Sequence, residues 1–225
     1  MQNYVIIVAG GQGSRMKSEI PKQYLSVKGI PIIIRAIQCF LDFSTEMKII
    51  VCVHPSYRAH MENLLKTFNL NEHGIQITLG GDTRFQSVKN GLHLITDQEP
   101  AVVGIHDAAR PFVSKTTIEQ CFETARTRGN AVPCLPVHES LRKISNNINH
   151  SVNRNEYKII QTPQCFNLFR IKKAFEQEYN TGFTDDATVL ESTGETIHLV
   201  EGNPENIKIT SPFDLILAEA LVEKA

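Results

Sequence analysis

YVIIVAGGQGSRMKSEIPKQYL, residues 4–25, carries the signal from which the fold is read. Residues 4–9 are apolar without alternation, as in a strand covered on both faces. Gly10, Gly11 and Gly13 then interrupt the chain. A glycine turn after the first strand of a parallel sheet lies at the carboxyl edge, where α/β folds bind ligands. The rhythm recurs at 48–53, 75–79, 101–106 and 131–136. Between these runs, apolar residues step at helical spacing: Met61, Leu64, Leu65 and Phe68; Phe85, Val88, Leu92 and Ile95; Ile118, Cys121, Phe122 and Ala125. The expected fold is therefore α/β, a Rossmann-like, mostly parallel sheet with helices on both faces.

The turn fits neither familiar phosphate motif. A dinucleotide fingerprint needs a third glycine where Met16 stands, and a P-loop needs glycine directly before its lysine, where Met16 stands again. What remains is an anion loop with cations of its own. The planar fork of Arg15 suits a phosphate. Pro21 fixes the chain ahead of Lys22. Either both serve an anion or both are surface cations beside a tight turn. Lys17 reads as a surface cation.

After Pro136 the pattern changes. Residues 137–160 are mostly polar, with alternation over 137–144 and 148–152 and Asn146-Asn147 between them. This predicts a β-hairpin arm protruding from the sheet. Such an arm buries little alone, so a second subunit is its natural partner. Helices are expected over 169–179 and 185–192, and strands at 196–200 and 206–209. Ser211-Pro212-Phe213-Asp214 opens a last helix. Nothing reads as a linker, so one domain over 1–225 is expected, with the arm inserted at about 137–160.

Composition bounds the function. The net charge of −1 predicts no strong pull on nucleic acid or membrane, so any anion site must be local. Five cysteines without a CxxC pair fit reduced thiols in a cytoplasmic protein. No cationic leader and no apolar window of membrane-spanning length is visible. The eight histidines form no HxH or HExxH pattern. His106 reads as structural.

Six stretches carry a resemblance: GGQGSRM with PKQYL (10–16, 21–25), GGDTRFQSVKNGL (80–92), HDAARPF (106–112), QTPQCF (161–166), TDDATVLE (184–191) and VEGNPENIKIT (200–210). In this order the chain resembles the 2-C-methyl-D-erythritol 4-phosphate cytidylyltransferase family of the non-mevalonate isoprenoid route. The resemblance implies transfer of a cytidylyl group from CTP to a polyol phosphate, with Mg2+ or another divalent cation bound with CTP. Arg15 and Lys22 match the family's transition-state cations. Ala9, Gly10, Gly11 and Gly13 would seat the triphosphate. Gly81, Asp82 and Ser87 would hold the cytosine end, although Asp82 or Thr83 could equally cap the helix that follows. Asp107, at a strand's carboxyl end, suits a ribose hydroxyl or the metal, and Arg110 either joins the site or pairs with Asp107. No protein ligand of the metal is assigned.

Arg154 and Lys208 match positions that bind the substrate phosphate, with Arg154 acting from a neighbouring subunit through arm exchange in a homodimer. From the strand pattern alone, Lys208 would face solvent. Thr162 and Thr184 match hydroxyl contacts to substrate. Ser140 stands where the family usually has threonine, and Gly10 where alanine is common. The nearest alternatives are a ribitol 5-phosphate cytidylyltransferase and a non-catalytic nucleotide-binding protein of the same fold. HDAARP and NIKIT favour methylerythritol phosphate.

Overall fold

Both faces of the first strand, β1 (Gln2–Ala9), are apolar, and each is covered by its own set of helices. The structure, a computed structural model, describes residues 1–11, 20–96 and 99–224. After β1 the strands are β2 (Ser26–Val27), β3 (Ile30–Pro31), β4 (Lys48–Val53), β5 (Gln76–Leu79), β6 (Ala101–Asp107), β7 (Asn130–Pro136), β8 (Arg142–Ser145), β9 (Ile148–Ser151), β10 (Lys158–Ile160), β11 (Gln164–Asn167) and β12 (Leu199–Glu201). The main sheet runs β10-β7-β11-β6-β1-β4-β5, and β12 also pairs with β7. Strands β6, β1, β4 and β5 are mutually parallel, whereas β11 runs antiparallel between β6 and β7.

Val5, Ile7 and Ala9 point to one side, where Ile33, Ile37 and Phe40 of α1 (Ile32–Phe43) pack. Met61 of α2 (Arg58–Thr67) and Phe122 of α4 (Lys115–Arg128) join them. Tyr4 and Ile6 point the other way, onto Phe85 and Val88 of α3 (Arg84–His93), Ile171 of α5 (Leu168–Ala174) and Leu190 of α6 (Asp186–Glu191). This period of two, buried on both sides, is why β1 reads as an unbroken apolar run. The last helix, α7 (Pro212–Lys224), contributes Ala218 to a smaller cluster with Val27, Ile32 and Ile209.

The helices start and stop as their ends dictate. Ser114 accepts a hydrogen bond from the Thr117 N–H and caps α4, and Gly129, at φ +95°, closes it in the left-handed region. Thr83 caps α3 by accepting from the Gln86 N–H, and Asp185 and Thr188 form a capping box on α6.

Strands β8 and β9 pair only with each other and are exposed throughout. Asn146 and Asn147 turn the hairpin with φ of 50° and 64°, the positive pair that a tight two-residue connection requires. The polar segment does not end with this hairpin: β10 rejoins the main sheet, antiparallel to β7.

Other expectations need correction. Residues 206–209 are not a strand. They form an extended loop held by Ile209 N–H donating to the Ala109 carbonyl (2.9 Å) and Asn206 Nδ2 donating to the Thr162 carbonyl (2.8 Å). The helix expected over 169–179 covers Leu168–Ala174, because Glu176 N–H bonds back only to Lys173 and the turn tightens. The strand expected at 196–200 is Leu199–Glu201. α1, β10 and β11 are additional to the elements expected from the sequence.

Candidate active site

At the carboxyl edge of the sheet, the segments after β1, β5 and β6, with Lys22, Gln23 and Lys208, line an open cavity of about 350 Å3. It lies beyond the ends of β1 and β6, the position at which open α/β sheets bind ligands. Ala9, Gly10 and Gly11 form one wall, and Gly81, Asp82, Thr83, Arg84 and Ser87 face them. Lys22, Asp107 and Lys208 complete the lining with Gln23, Ala108 and Ala109.

Close backbone packing shapes the glycine walls. Gly80 N–H donates to the Val53 carbonyl (2.7 Å), which ties the end of β5 to the end of β4. A Cβ on Gly10 or on Gly80 would stand 3.0 Å from Ser87 Oγ, so side chains there would crowd the cleft. A Cβ on Gly81 would overlap the Gln86 side chain. Ser87 Oγ accepts from Gly81 N–H (3.0 Å) and donates to the Thr83 carbonyl (2.9 Å), fixing the loop against α3. Thr83, not Asp82, is the cap of α3.

Lys22 opens a 3-10 turn, Lys22–Tyr24, behind Pro21. The next residue holds this turn against the glycine loop. Buried Gln23 donates through Nε2 to the carbonyls of Ala9 (2.8 Å) and Gly11 (2.9 Å). The sequence PKQ therefore places a cation beside Ala9, Gly10 and Gly11, with the glutamine as the tether. Arg15 and Gly13 lie outside the described residues.

The floor is a charge cluster around Asp107. Lys208 Nζ is 2.8 Å from Asp107 Oδ2, and the Nε atoms of Arg110 and Arg84 are each 3.6 Å from Oδ2 and Oδ1 respectively. Burial alone would push the Asp107 carboxyl up, but Arg84, Lys208 and Arg110 together hold it well below the usual range. Lys208 thus lines the cavity and pairs with an acid while its side chain stays 41% exposed, so the solvent exposure expected from the strand pattern and the contact with the site both hold. Arg110 stands just behind, donating to the carbonyls of Asn206 (2.8 Å) and Ile160 (3.3 Å).

Beneath the floor runs a buried relay. His106 Nε2 meets the Arg110 carbonyl at 2.9 Å, and a carbonyl only accepts, so Nε2 carries the proton. Nδ1 then accepts from the Thr162 hydroxyl (3.1 Å), whose oxygen accepts the Asp107 N–H (3.1 Å). Thr162, expected as a hydroxyl donor to substrate, has its proton engaged with His106 and is absent from the cavity lining. Burial pushes His106 down from an ordinary 6.5 to about 4. Because the folded value is depressed, the unfolded chain binds more protons between these values. Stability is therefore full above pH 6.5 and falls as pH drops toward 4, by up to about 3 kcal/mol. Urea midpoints at pH 7 and pH 5 should show this loss, and His106→Gln should flatten the slope.

Three expected substrate contacts stand apart from this cavity. Ser140 and Arg154 are exposed near the arm, where Arg154 donates to the His138 carbonyl, and Thr184 is exposed ahead of α6. Among the described residues no group of three His, Cys, Asp or Glu side chains is placed to hold a metal. The carboxylates lining the cavity are Asp82 and Asp107. Mg2+ commonly takes one or two carboxylates and fills its shell from substrate phosphates and water, so this donor set fits an ion carried largely by a triphosphate.

Gln23 and Arg84 were not singled out by the sequence reading. Arg84 left one trace: a cation at the first position of a helix opposes the helix dipole, so another force must hold it there.

A family model described as 2-C-methyl-D-erythritol 4-phosphate cytidylyltransferase matches residues 3–224. The chain is 45% identical to the Phocaeicola vulgatus protein of that name, over 99% of this chain and 100% of the relative. The crystal structure of the Francisella tularensis protein of the same name is 32% identical, with a TM-score of 0.81, covering 98% of this chain and 99% of that one. The Thermus thermophilus structure, at 30% identity, gives a TM-score of 0.79 over 99% and 100% of the two chains.

Proposed function

The chain belongs to the 2-C-methyl-D-erythritol 4-phosphate cytidylyltransferase family, and from that premise we propose a role for each side of its cavity. The enzyme is a nucleotidyltransferase of isoprenoid precursor biosynthesis, acting on CTP and 2-C-methyl-D-erythritol 4-phosphate. A phosphate oxygen of the polyol substrate attacks the α-phosphorus of CTP. The new P–O bond forms as the bond from the α-phosphorus to the β-bridging oxygen breaks, and pyrophosphate leaves. The nucleophile is already ionised, so no general base is required. The protein's task is to position and neutralise charge.

One observation carries the reading: Lys22, Asp107 and Lys208, drawn from three distant parts of the chain, line the same cavity as the glycine loop. Gly10 and Gly11 seat the triphosphate, and Gly81, Asp82 and Ser87 receive the cytosine. Lys22, with Arg15, neutralises charge that develops at the α-phosphoryl oxygens. Asp107 accepts from a ribose hydroxyl. Lys208 exchanges its contact with Asp107 for the polyol phosphate. A divalent cation held by the triphosphate and the cavity carboxylates would withdraw charge from the phosphates.

The phosphate site is completed from a second copy. The exposed hairpin, with Ile144 at 76% and Ile148 at 71% exposure, suits burial against a neighbouring subunit and would carry Arg154 and Ser140 to that site, with Thr184 as a further hydroxyl contact to substrate. On this reading residues 1–225 act as one domain whose arm serves its twin. Five free cysteines agree with a reducing, cytoplasmic setting, and no helix among the described residues is long and apolar enough to cross a membrane.

A turnover assay offering CTP and Mg2+ with either polyol phosphate tests this reading. Pyrophosphate should appear with methylerythritol phosphate and far more slowly with ribitol 5-phosphate. Preference for ribitol phosphate would reassign the substrate, and no turnover with either would remove the catalytic reading.

A further inference from the structure

Arg84 joins two carboxylates that the chain brings together from far apart. Its Nη1 donates to Asp186 Oδ1 (2.7 Å), across 102 residues of sequence, and its Nη2 forms an ion pair with Oδ2 at 2.6 Å. Its Nε faces Asp107 Oδ1 at 3.6 Å. Asp186 is fully buried at the first turn of α6 and is held there from below. Gln164 of β11 accepts from the Ala187 N–H (2.8 Å) and donates to Asp185 (2.7 Å), while β11 itself pairs with β6 just before Asp107. The start of α3, the start of α6 and the end of β6 thus converge on one guanidinium.

The division of contacts around Asp107 shows what this does. Lys208 and Arg110 both address Oδ2, whereas Oδ1 faces Arg84. Without Arg84, rotation of the carboxylate would be limited from one side alone. Burial disfavours the charge on Arg84, but Asp186 and Asp107 more than offset it, so the cation is permanent. A lysine could pair with Asp186 but could not at the same time hold a second nitrogen of a rigid fork facing Asp107.

We propose that Arg84 is a positioning residue for the cytidylyl transfer: anchored by Asp186, it fixes the Asp107 carboxylate in the orientation that receives CTP. The inference rests on the reading of Asp107 as a nucleotide contact. It also gives Asp107 a partner that stays when Lys208 turns to the incoming phosphate.

Removing Arg84 alone would strand a buried carboxylate and threaten folding. The test therefore uses Arg84→Met/Asp186→Leu, which removes both charges, and Arg84→Lys, which keeps one. Each is compared with Asp107→Asn and with the triple variant by steady-state kinetics and urea midpoints on the full chain. Arg84→Met/Asp186→Leu and Arg84→Lys should unfold near the wild-type midpoint, yet KM for CTP should rise about 10- to 100-fold, the scale of one charge-assisted contact, with a smaller change in kcat. Adding Asp107→Asn should cost little more, because both changes act through one group. Wild-type kinetics in a folded variant would make the pair purely structural, and additive losses would separate Arg84 from Asp107. If the double variant does not fold, Arg84→Lys decides alone by the same KM criterion. Asp107→Asn without effect would instead overturn the nucleotide-contact reading itself.

Discussion

Lys22→Ala should lower kcat by about 10²–10³-fold, the usual loss when one fixed donor to transition-state charge is removed. Affinity for CTP and the thermal midpoint should stay near wild type. The groups that hold the turn survive the substitution: Tyr24 N–H donates to the Pro21 carbonyl (2.9 Å), and Gln23 grips the glycine loop through its own side chain. What the cavity loses is the lysine side chain beyond Cβ, with its ammonium. Single-turnover rates with calorimetric CTP binding separate the two effects. Weakened binding with unchanged chemistry would make Lys22 a ground-state contact instead.

A second large effect is expected at the arm. Arg154→Ala should be nearly inactive by itself, as should Lys22→Ala. Mixed in equal amounts, the two should regain about a quarter of wild-type activity, since half of the dimers then hold one intact site. The geometry behind this is simple. Arg154 sits on a 3-10 turn beside the hairpin, bonded to the His138 carbonyl, and is absent from the lining of its own chain's cavity. No rescue in verified mixed dimers would mean that the phosphate site is built within one chain.

Legibility in the sequence followed the reach of each interaction. β1 was readable because burial on both faces is a local demand. The Asn146-Asn147 turn was readable for the same reason. Helix α1 was not expected, although IIIRAIQCFLDF is amphipathic: Ile33, Ile37 and Phe40 fill the main core and Ile32 the cluster under α7, while Arg35, Gln38 and Asp42 lie off the buried side. β10 and β11 are short, and β11 exists only because β6 and β7 flank it. Residues 206–209 alternate like a strand, yet their hydrogen bonds go to Ala109 and Thr162 instead of a ladder.

The site divided in the same way. Family motifs gave Lys22, Asp107 and Lys208 by position, but not that the last two are ion-paired. Arg84 could be understood only once Asp186 was seen beside it. Gln23 looked like the middle of a motif, and its work lies in two carbonyls that the sequence does not display. Thr162 matched a substrate contact by motif, and its bonds to the Asp107 N–H and to His106 were not visible in the sequence.

The most direct test of the transfer reaction follows oxygen. Methylerythritol phosphate carrying 18O in its phosphoryl group is incubated with CTP, Mg2+ and the enzyme, and the products are read by 31P NMR. Attack on the α-phosphorus predicts 18O in the bridge between the two phosphorus atoms of the product, seen as an isotope shift on both resonances, and pyrophosphate free of label. Label in the pyrophosphate, or a product without 18O in its bridge, would contradict the account.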